Sequence, residues 1–174
     1  MNEIINRVSS SPIISLNLEE IYPKEERVVF DLKPFLWQEL ILKEQDFRKA
    51  LKEVNWEVYR NRWVGIICSA DAIVPTWAFM LVCTYLEPVT KGYVVGELDV
   101  LEIMISERVI SNFDLESFRD RPVVIKGCSS YPIPLFAYGR MVSVLQPVAR
   151  SLMFGEPCST VPLFKKIKVL IFKG

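Results

Sequence analysis

Residues 63–86, WVGIICSADAIVPTWAFMLVCTYL, decide the fold class of this chain. The run 63–68 is short and almost wholly apolar, which is typical of a strand buried on both faces. Residues 69–71 interrupt it, and from Pro75 an uncharged stretch continues long enough for a helix ending near Leu86. A buried strand followed by a helix is the building unit of a parallel α/β sheet.

The same alternation of strand and helix recurs along the rest of the chain. Further strands are expected at 27–32, 93–96, 122–126 and 152–154, and further helices after Pro34, at 98–109 and from Pro134 to about Ser151. The pattern predicts an α/β fold with a mostly parallel sheet of about four short strands and helices on both faces.

The length of 174 residues predicts a single domain over residues 1–174. Within it, the mixed segment 1–30 is expected to wrap the surface, and 163–174 to form a C-terminal tail. No repeat with a fixed long period is apparent.

Composition excludes several classes of function. The chain has 21 basic and 21 acidic residues and no histidine. Zero net charge argues against nucleic acid as a partner, because phosphate binding usually leaves a basic excess. Without histidine there is no Ser-His-Asp triad, no Cys-His pair and no imidazole base. The apolar fraction of 51% predicts a large core or a buried subunit interface.

Localisation is expected to be cytoplasmic. Residues 1–12 lack the apolar segment of a signal peptide, and four cysteines are too few for a disulfide-rich secreted scaffold. The longest uncharged run, 72–86, is shorter than the roughly 20 residues that a membrane helix needs, so no membrane contact is expected.

Three of the four cysteines are followed by serine, as Cys68-Ser69, Cys128-Ser129 and Cys158-Ser159. Each pair follows an apolar run, and the carboxyl ends of parallel strands share one edge of a sheet. We therefore expect the loops 68–74, 127–134 and 155–162 to meet there. Three thiolates would form a soft site for zinc or an iron–sulfur cluster, with Cys68, Cys128 and Cys158 as ligands.

Other polar residues complete this hypothetical site. The hydroxyls of Ser69, Ser129, Ser159 and Thr160 are expected to contact a cofactor or a small anionic ligand held by backbone amides. Asp71 and Glu156 are the candidates for a fourth ligand or a catalytic acid or base. Asp71 is equally placed to cap the following helix.

Two alternatives remain open. The cysteines could be small core residues of a non-enzymatic interaction or scaffold protein, in which exposed aromatic side chains mark the partner surface. Alternatively, Cys128 or Cys158 could be a redox thiol activated by a helix terminus, with the other as its resolving partner. Cys83 lies within the apolar helix and is assigned to the core.

Three stretches resemble a known protein family. They are residues 68–78, 126–129 and 154–162, with the sequences CSADAIVPTWA, KGCS and FGEPCSTVP. They resemble the bacterial domain-of-unknown-function family numbered 2480, and the similarity extends over nearly the whole chain. The resemblance implies no activity, but it marks the three Cys-Ser segments as characteristic of the family. The apolar end at 167–172 is less similar.

A homodimer is a separate expectation. Residues 168–172, KVLIF, would form a strand that is an aggregation hazard unless something covers it. A second copy of the chain, or the chain's own sheet, would provide that cover.

Overall fold

The computed structural model describes residues 13–127, 131–156 and 159–166. They form the strands β1 (Ile14–Leu16), β2 (Arg27–Asp31), β3 (Trp63–Ile67), β4 (Gly92–Val95), β5 (Pro122–Ile125), β6 (Ser151–Glu156) and β7 (Ser159–Lys165). The α-helices are α1 (Leu18–Ile21), α2 (Glu44–Glu53), α3 (Thr76–Leu86), α4 (Leu98–Ser111) and α5 (Leu135–Leu145). Short 3₁₀ turns lie at Lys33–Phe35, Trp56–Tyr59 and Glu116–Phe118.

The strands form two sheets, and the predicted α/β class is confirmed. One sheet has the order β1-β5-β6-β7, in which only β7 is antiparallel to its neighbour. This is the expected mostly parallel sheet of four strands. The other sheet is wholly parallel, with the order β2-β3-β4.

Two segments differ from expectation. The N-terminal segment 1–30 does not merely wrap the surface, since it supplies β1 and most of β2. Residues 159–162 are not loop, because they begin β7. The sequence did not predict β1 or β7, because neither shows the apolar run of a buried strand. Strand β1 is only three residues long, and β7 is mostly exposed and contains Pro162.

The chain divides into two compact units, one inserted into the other in sequence. The inserted unit is Pro23–Ile105, with strands β2, β3 and β4. The split unit comprises, of the described residues, 13–22, 106–127, 131–156 and 159–166, with β1, β5, β6 and β7. The single domain over 1–174 stays a prediction.

The core of the inserted unit lies between its sheet and helices α2 and α3. Both helices cover one face, because consecutive right-handed crossovers in the order β2-β3-β4 progress in one direction. The buried side chains are Phe30, Val64 and Ile66 of the sheet, Phe47 and Leu51 of α2, and Ala78, Val82 and Leu86 of α3. Gly65 of β3 allows the backbone at Gly96 to approach the strand closely. A Cβ at position 65 would lie 2.9 Å from the Gly96 carbonyl oxygen and 3.6 Å from the Leu98 side chain.

The split unit has a core of the same kind, built from β5, β6 and α5. Its fully buried side chains include Val123, Val124, Ile125, Ala137, Met141, Leu145 and Leu152. The buried Ser106 hydroxyl lies 3.1 Å from the Tyr22 hydroxyl, within hydrogen-bonding distance. This bond within the unit satisfies a buried polar group that would otherwise destabilise the fold.

Two predicted helices have different bounds in the structure. No helix begins at Pro34, because Gln38 and Glu39 have φ angles of 53° and 58°, in a left-handed region that an α-helix does not use. The helix α2 begins only at Glu44. Helix α5 ends at Leu145 rather than near Ser151, since Pro147 cannot continue it.

The two units are copies of one structural repeat. Residues 55–97 correspond without a gap to residues 114–156, each position lying 59 residues before its counterpart. A 3₁₀ turn, a buried strand, a helix and a second strand follow in the same order in both segments. Identical residues occupy the pairs Glu57/Glu116, Arg60/Arg119, Arg62/Arg121, Val64/Val123, Ile66/Ile125, Pro75/Pro134, Ala78/Ala137, Leu86/Leu145, Pro88/Pro147, Val89/Val148, Gly96/Gly155 and Glu97/Glu156. The expectation that the chain contains no long repeat is therefore wrong.

Local geometry supports the correspondence. The amide of Asn61 donates to the carbonyl oxygen of Val89 at 3.0 Å, and the amide of Asp120 donates to that of Val148 at 2.9 Å. Asn61 and Asp120 also share a left-handed backbone, with φ angles of 57° and 54°. Equivalent turns therefore lead into β3 and β5.

The first strand of each sheet corresponds as well. Asp31, the last residue of β2, pairs with Ile67. Asn17 follows Leu16, which pairs with Ile125, and Ile67 corresponds to the next residue, Lys126. Asp31 and Asn17 therefore occupy equivalent positions in the two repeats. The Asp31 side chain accepts a hydrogen bond from the Lys33 amide at 2.9 Å. The Asn17 side chain accepts one from the Glu19 amide at 3.1 Å. One repeat is thus interrupted after α1 by the other, and this hides the duplication from a linear reading.

Candidate functional site

The three predicted Cys-Ser loops belong to different units. Residues 68–74 follow β3 in the inserted unit, whereas 127–134 and 155–162 belong to the split unit. Cys128, Ser129 and Cys158 lie outside the described residues, as does the strand candidate 168–172. The geometry of the predicted three-thiol site therefore stays a prediction.

Cys68 is a half-buried residue that packs beside the core of the inserted unit. Its Sγ lies 3.8 Å from the carbonyl oxygen of Ala70, to which the thiol donates a weak hydrogen bond. In the repeat, Cys68 corresponds to Gly127, and Cys128 corresponds to Ser69. The recurring Cys-Ser pairs are therefore not a product of the duplication.

Ser69 orders the loop after β3 through Asp31. The Ser69 hydroxyl donates to Asp31 Oδ2 at 2.5 Å, and its amide donates to Asp31 Oδ1 at 2.9 Å. Burial acts to raise the pKa of Asp31, but hydrogen bonds from Ser69 and from the Lys33 amide outweigh it and hold the pKa below its usual value. Ser69 thus has a structural partner within its own unit.

Asp71 lies on the rim of an open groove beside this loop. The groove encloses about 440 Å³ and is lined by Leu40, Ile41, Leu42, Asp71, Ala72, Ile73 and Pro75. Asp71 is exposed, and α3 begins after Pro75 without a side-chain cap, so the alternative in which Asp71 caps this helix is wrong. We call this surface the aliphatic groove.

A tight turn presents one wall of the aliphatic groove. The Trp37 amide donates to the Ile41 carbonyl oxygen at 2.7 Å, and the two residues form an antiparallel bridge. The left-handed Gln38 and Glu39 close the turn, at a cost of roughly 1–2 kcal/mol each for residues with a Cβ. Leu40 is consequently held 60% exposed.

The split unit has a groove at the corresponding place. It encloses about 410 Å³ and is lined by Gly127, Tyr131, Pro132, Ile133, Leu135, Tyr138 and Phe154. The Phe154 ring occupies the space beside Gly127, where a Cβ would lie only 2.4 Å from it, and packs edge-on against Tyr138. We call this surface the aromatic groove.

Glu156 is the last residue of β6, two positions after Phe154 of the aromatic groove. Its Oε2 lies 3.8 Å from Lys126 Nζ at the end of the adjacent β5. This contact brings together the flanks of the two loops that contain Cys128 and Cys158. Glu156 is thus an ion-paired, half-exposed carboxylate.

Ser159 and Thr160 occupy β7, not a loop. Ser159 is exposed and lies opposite Glu156 in the ladder. The Thr160 hydroxyl donates to Met153 Sδ at 3.7 Å. Thr160 therefore contacts its own sheet and is half-buried, whereas Ser159 is exposed.

Cys83 is half-buried, and burial raises the pKa of its thiol above the ordinary value. Among the residues that the structure describes, no cluster of three or more Cys, Asp or Glu side chains could hold a metal ion. Over the same part of the chain, no helix is both long and apolar enough to cross a membrane.

Sequence reasoning missed the most exposed apolar side chains. Ile73 is 95% exposed and Leu135 is 86% exposed, the highest values for large apolar residues in the described chain. Ile73 lies in the loop before α3, and Leu135 is the first residue of α5. The available signal was an apolar residue near the proline that precedes each helix, but sequence alone does not distinguish exposed from buried apolar residues.

Comparison with known proteins gives a family and no function. The family model described as a protein of unknown function, DUF2480, matches residues 2–166. No curated protein and no solved structure matches the chain.

Proposed function

We propose that this chain, which belongs to the DUF2480 family of proteins of unknown function, is a non-enzymatic interaction protein that binds apolar segments of partner proteins. One observation supports this most: Ile73 and Leu135, the two most exposed large apolar side chains, lie beside corresponding grooves of the two repeats. Leaving such side chains in water forgoes about 1.5–3 kcal/mol each, which binding would recover.

The position of the grooves also favours binding. Each lies where the chain passes from the carboxyl end of a central parallel strand into the next helix, which is where α/β sheets commonly bind ligands. Two polar side chains at these edges have structural partners: Ser69 contacts Asp31, and Glu156 contacts Lys126. Both grooves are lined mostly by apolar and aromatic side chains, with the Asp71 carboxylate on the rim of one, so apolar contact is the main chemistry that they offer.

Peptide selection tests this function. We expect a random peptide library displayed on phage to yield apolar sequences against the wild-type chain. Ile73→Asp or Leu135→Asp should weaken the peptides of the corresponding groove by at least about tenfold, the equivalent of 1.4 kcal/mol. Met80→Asp is the matched control, since it places the same charge at an apolar residue that is 64% exposed but lines neither groove. Selection of no peptide, or equal loss in all three variants, would contradict the proposal.

A thiol site is the second candidate function, favoured by the contact between Lys126 and Glu156. Cys128 follows Lys126 by two residues and Cys158 follows Glu156 by two, and two residues of extended chain span roughly 7 Å. The length of chain therefore permits both thiols to reach a common metal ion, and we propose zinc or an iron–sulfur cluster as the bound group.

Elemental analysis of protein purified without oxygen tests the thiol site. We expect about one equivalent of zinc, or a brown iron–sulfur cluster, that is lost in Cys128→Ser and Cys158→Ser and kept in the control Cys83→Ser. Less than a tenth of an equivalent of either metal would exclude metal binding. Alkylation rates at graded pH would then show whether either thiol is a redox thiol with a lowered pKa.

A further inference from the structure

We infer that the aliphatic groove of one chain binds the C-terminal tail, residues 167–174, of a second copy, so that two chains exchange tails as a homodimer. This rests on the proposed function, because it names a partner for one of the two grooves. The tail, IKVLIFKG, contains five large apolar residues between lysines. It also lies beyond residue 166, where the match to the family ends.

Lys166, the residue before the tail, is held by its own unit through backbone and side-chain contacts. The Lys166 amide donates to the Arg150 carbonyl oxygen, and the Arg150 amide donates to that of Arg121, each at 2.9 Å. Lys168 and Lys173 give the tail further positive charge. The Lys166 ammonium lies 3.7 Å from Asp120 Oδ1, so this carboxylate already has a cationic partner.

The free edge of β7 is also a poor place for the tail. Pro162 removes one backbone donor from this strand, and the β6–β7 ladder is irregular opposite Leu152 and Met153. Both features protect edge strands against further pairing. To fold back on β7, moreover, the chain would have to reverse within residues 166–168, Lys-Ile-Lys, which contain no turn-forming residue.

The aliphatic groove offers complementary chemistry. Its walls are aliphatic side chains, with Ile73 at 95% exposure, and its rim has the carboxylate of Asp71. The tail has aliphatic residues next to Lys168 and Lys173. Its eight residues reach roughly 26 Å when extended, which is long enough to enter a neighbouring molecule.

Exchange between two copies would also cover both apolar parts of the chain, the groove and the tail. Each chain has one tail and one aliphatic groove, so reciprocal exchange closes as a dimer and leaves neither exposed. The absence of a turn-forming residue at 166–168 favours exchange between molecules over docking on β7.

Light scattering on size-exclusion-separated full-length chains tests the inference. We expect a wild-type dimer, and monomers for the groove variant Ile73→Asp and for the tail variant Ile171→Asp, each associating at least about tenfold more weakly. The control Met80→Asp should remain dimeric. Ile73 is almost fully exposed, so the groove variant should keep the wild-type circular dichroism spectrum.

Mixing the two monomeric variants is the decisive step. The Ile73→Asp chain keeps an intact tail, and the Ile171→Asp chain keeps an intact groove, so together they should form a heterodimer through one exchanged tail. A wild-type monomer at all concentrations, a dimeric Ile73→Asp chain, or no heterodimer on mixing would overturn the inference. A monomeric wild type that still binds apolar peptides through Ile73 would overturn tail exchange alone and leave the proposed function standing.

Discussion

The Asp31 carboxylate offers a sharp test of how the loop beside the aliphatic groove is held. It accepts three hydrogen bonds, from the Ser69 hydroxyl and from the amides of Ser69 and Lys33, at 2.5 to 2.9 Å. Hydrogen bonds to charged groups contribute about 1.5–3 kcal/mol each when fully buried. Asp31 is only half-buried and Ser69 is exposed, so water replaces part of each bond. We therefore expect Asp31→Ala to lower the free energy of unfolding by about 2 kcal/mol in total.

The repeat suggests a milder variant of the same residue. Asn17 occupies the corresponding position in the split unit and keeps the amide hydrogen bond two residues further on. Asp31→Asn should likewise keep the amide bonds and lose the charge, at a cost of about 1 kcal/mol. Urea unfolding followed by tryptophan fluorescence at pH 7 would measure both, with the exposed Glu53→Ala as a charge control. The reasoning is refuted if Asp31→Ala costs less than about 0.5 kcal/mol, or if Asp31→Asn costs as much as Asp31→Ala.

The direction of the pH dependence follows from the lowered pKa of Asp31. Because the folded-state pKa lies below the unfolded one, the contribution of this carboxylate to stability is complete above the unfolded pKa. It is lost as the pH falls through the folded pKa. The stability difference between wild type and Asp31→Asn should therefore shrink on acidification, and a difference that grows would contradict the assignment.

Further predictions concern four single positions. Gly127→Ala should lower the free energy of unfolding by about 1–3 kcal/mol, because the new Cβ would displace the Phe154 ring. Gly139→Ala should raise it by about 0.5–1 kcal/mol, because the new Cβ on helix α5 meets no atom within 4 Å. Thermal or urea unfolding would measure both changes. Gln38→Gly should stabilise by up to about 1 kcal/mol, since glycine adopts the left-handed turn without strain; a loss of stability there would show that the side chain has a role of its own. The hydrogen bond from Tyr93 to Glu87 raises the pKa of Tyr93 to about 12. In an ultraviolet titration, the tyrosine ionisation at the highest pH should therefore disappear in Tyr93→Phe and remain in Tyr85→Phe.

The local elements could be predicted because they depend on neighbours in the sequence. The strands near residues 63–68 and 122–126 were recognisable as continuous apolar runs, and both strands are buried in the structure. Prolines at positions 75 and 134 marked the starts of α3 and α5. The error at residues 34–42 has the opposite cause: two left-handed residues break a spacing that suits a helix, and neither is a glycine that would reveal the turn.

The sequence by itself determined the α/β class, the absence of imidazole chemistry and the family, since these follow from periodicity, composition and characteristic stretches of residues. Only the tertiary structure decided that one repeat is inserted into another, that Asp31 holds Ser69, and that Ile73 and Leu135 are exposed. Each of these depends on groups that are distant in the chain. Strand pairing joins residues across the insertion, a carboxylate meets a hydroxyl 38 positions away, and an apolar side chain is buried or exposed according to what packs against it.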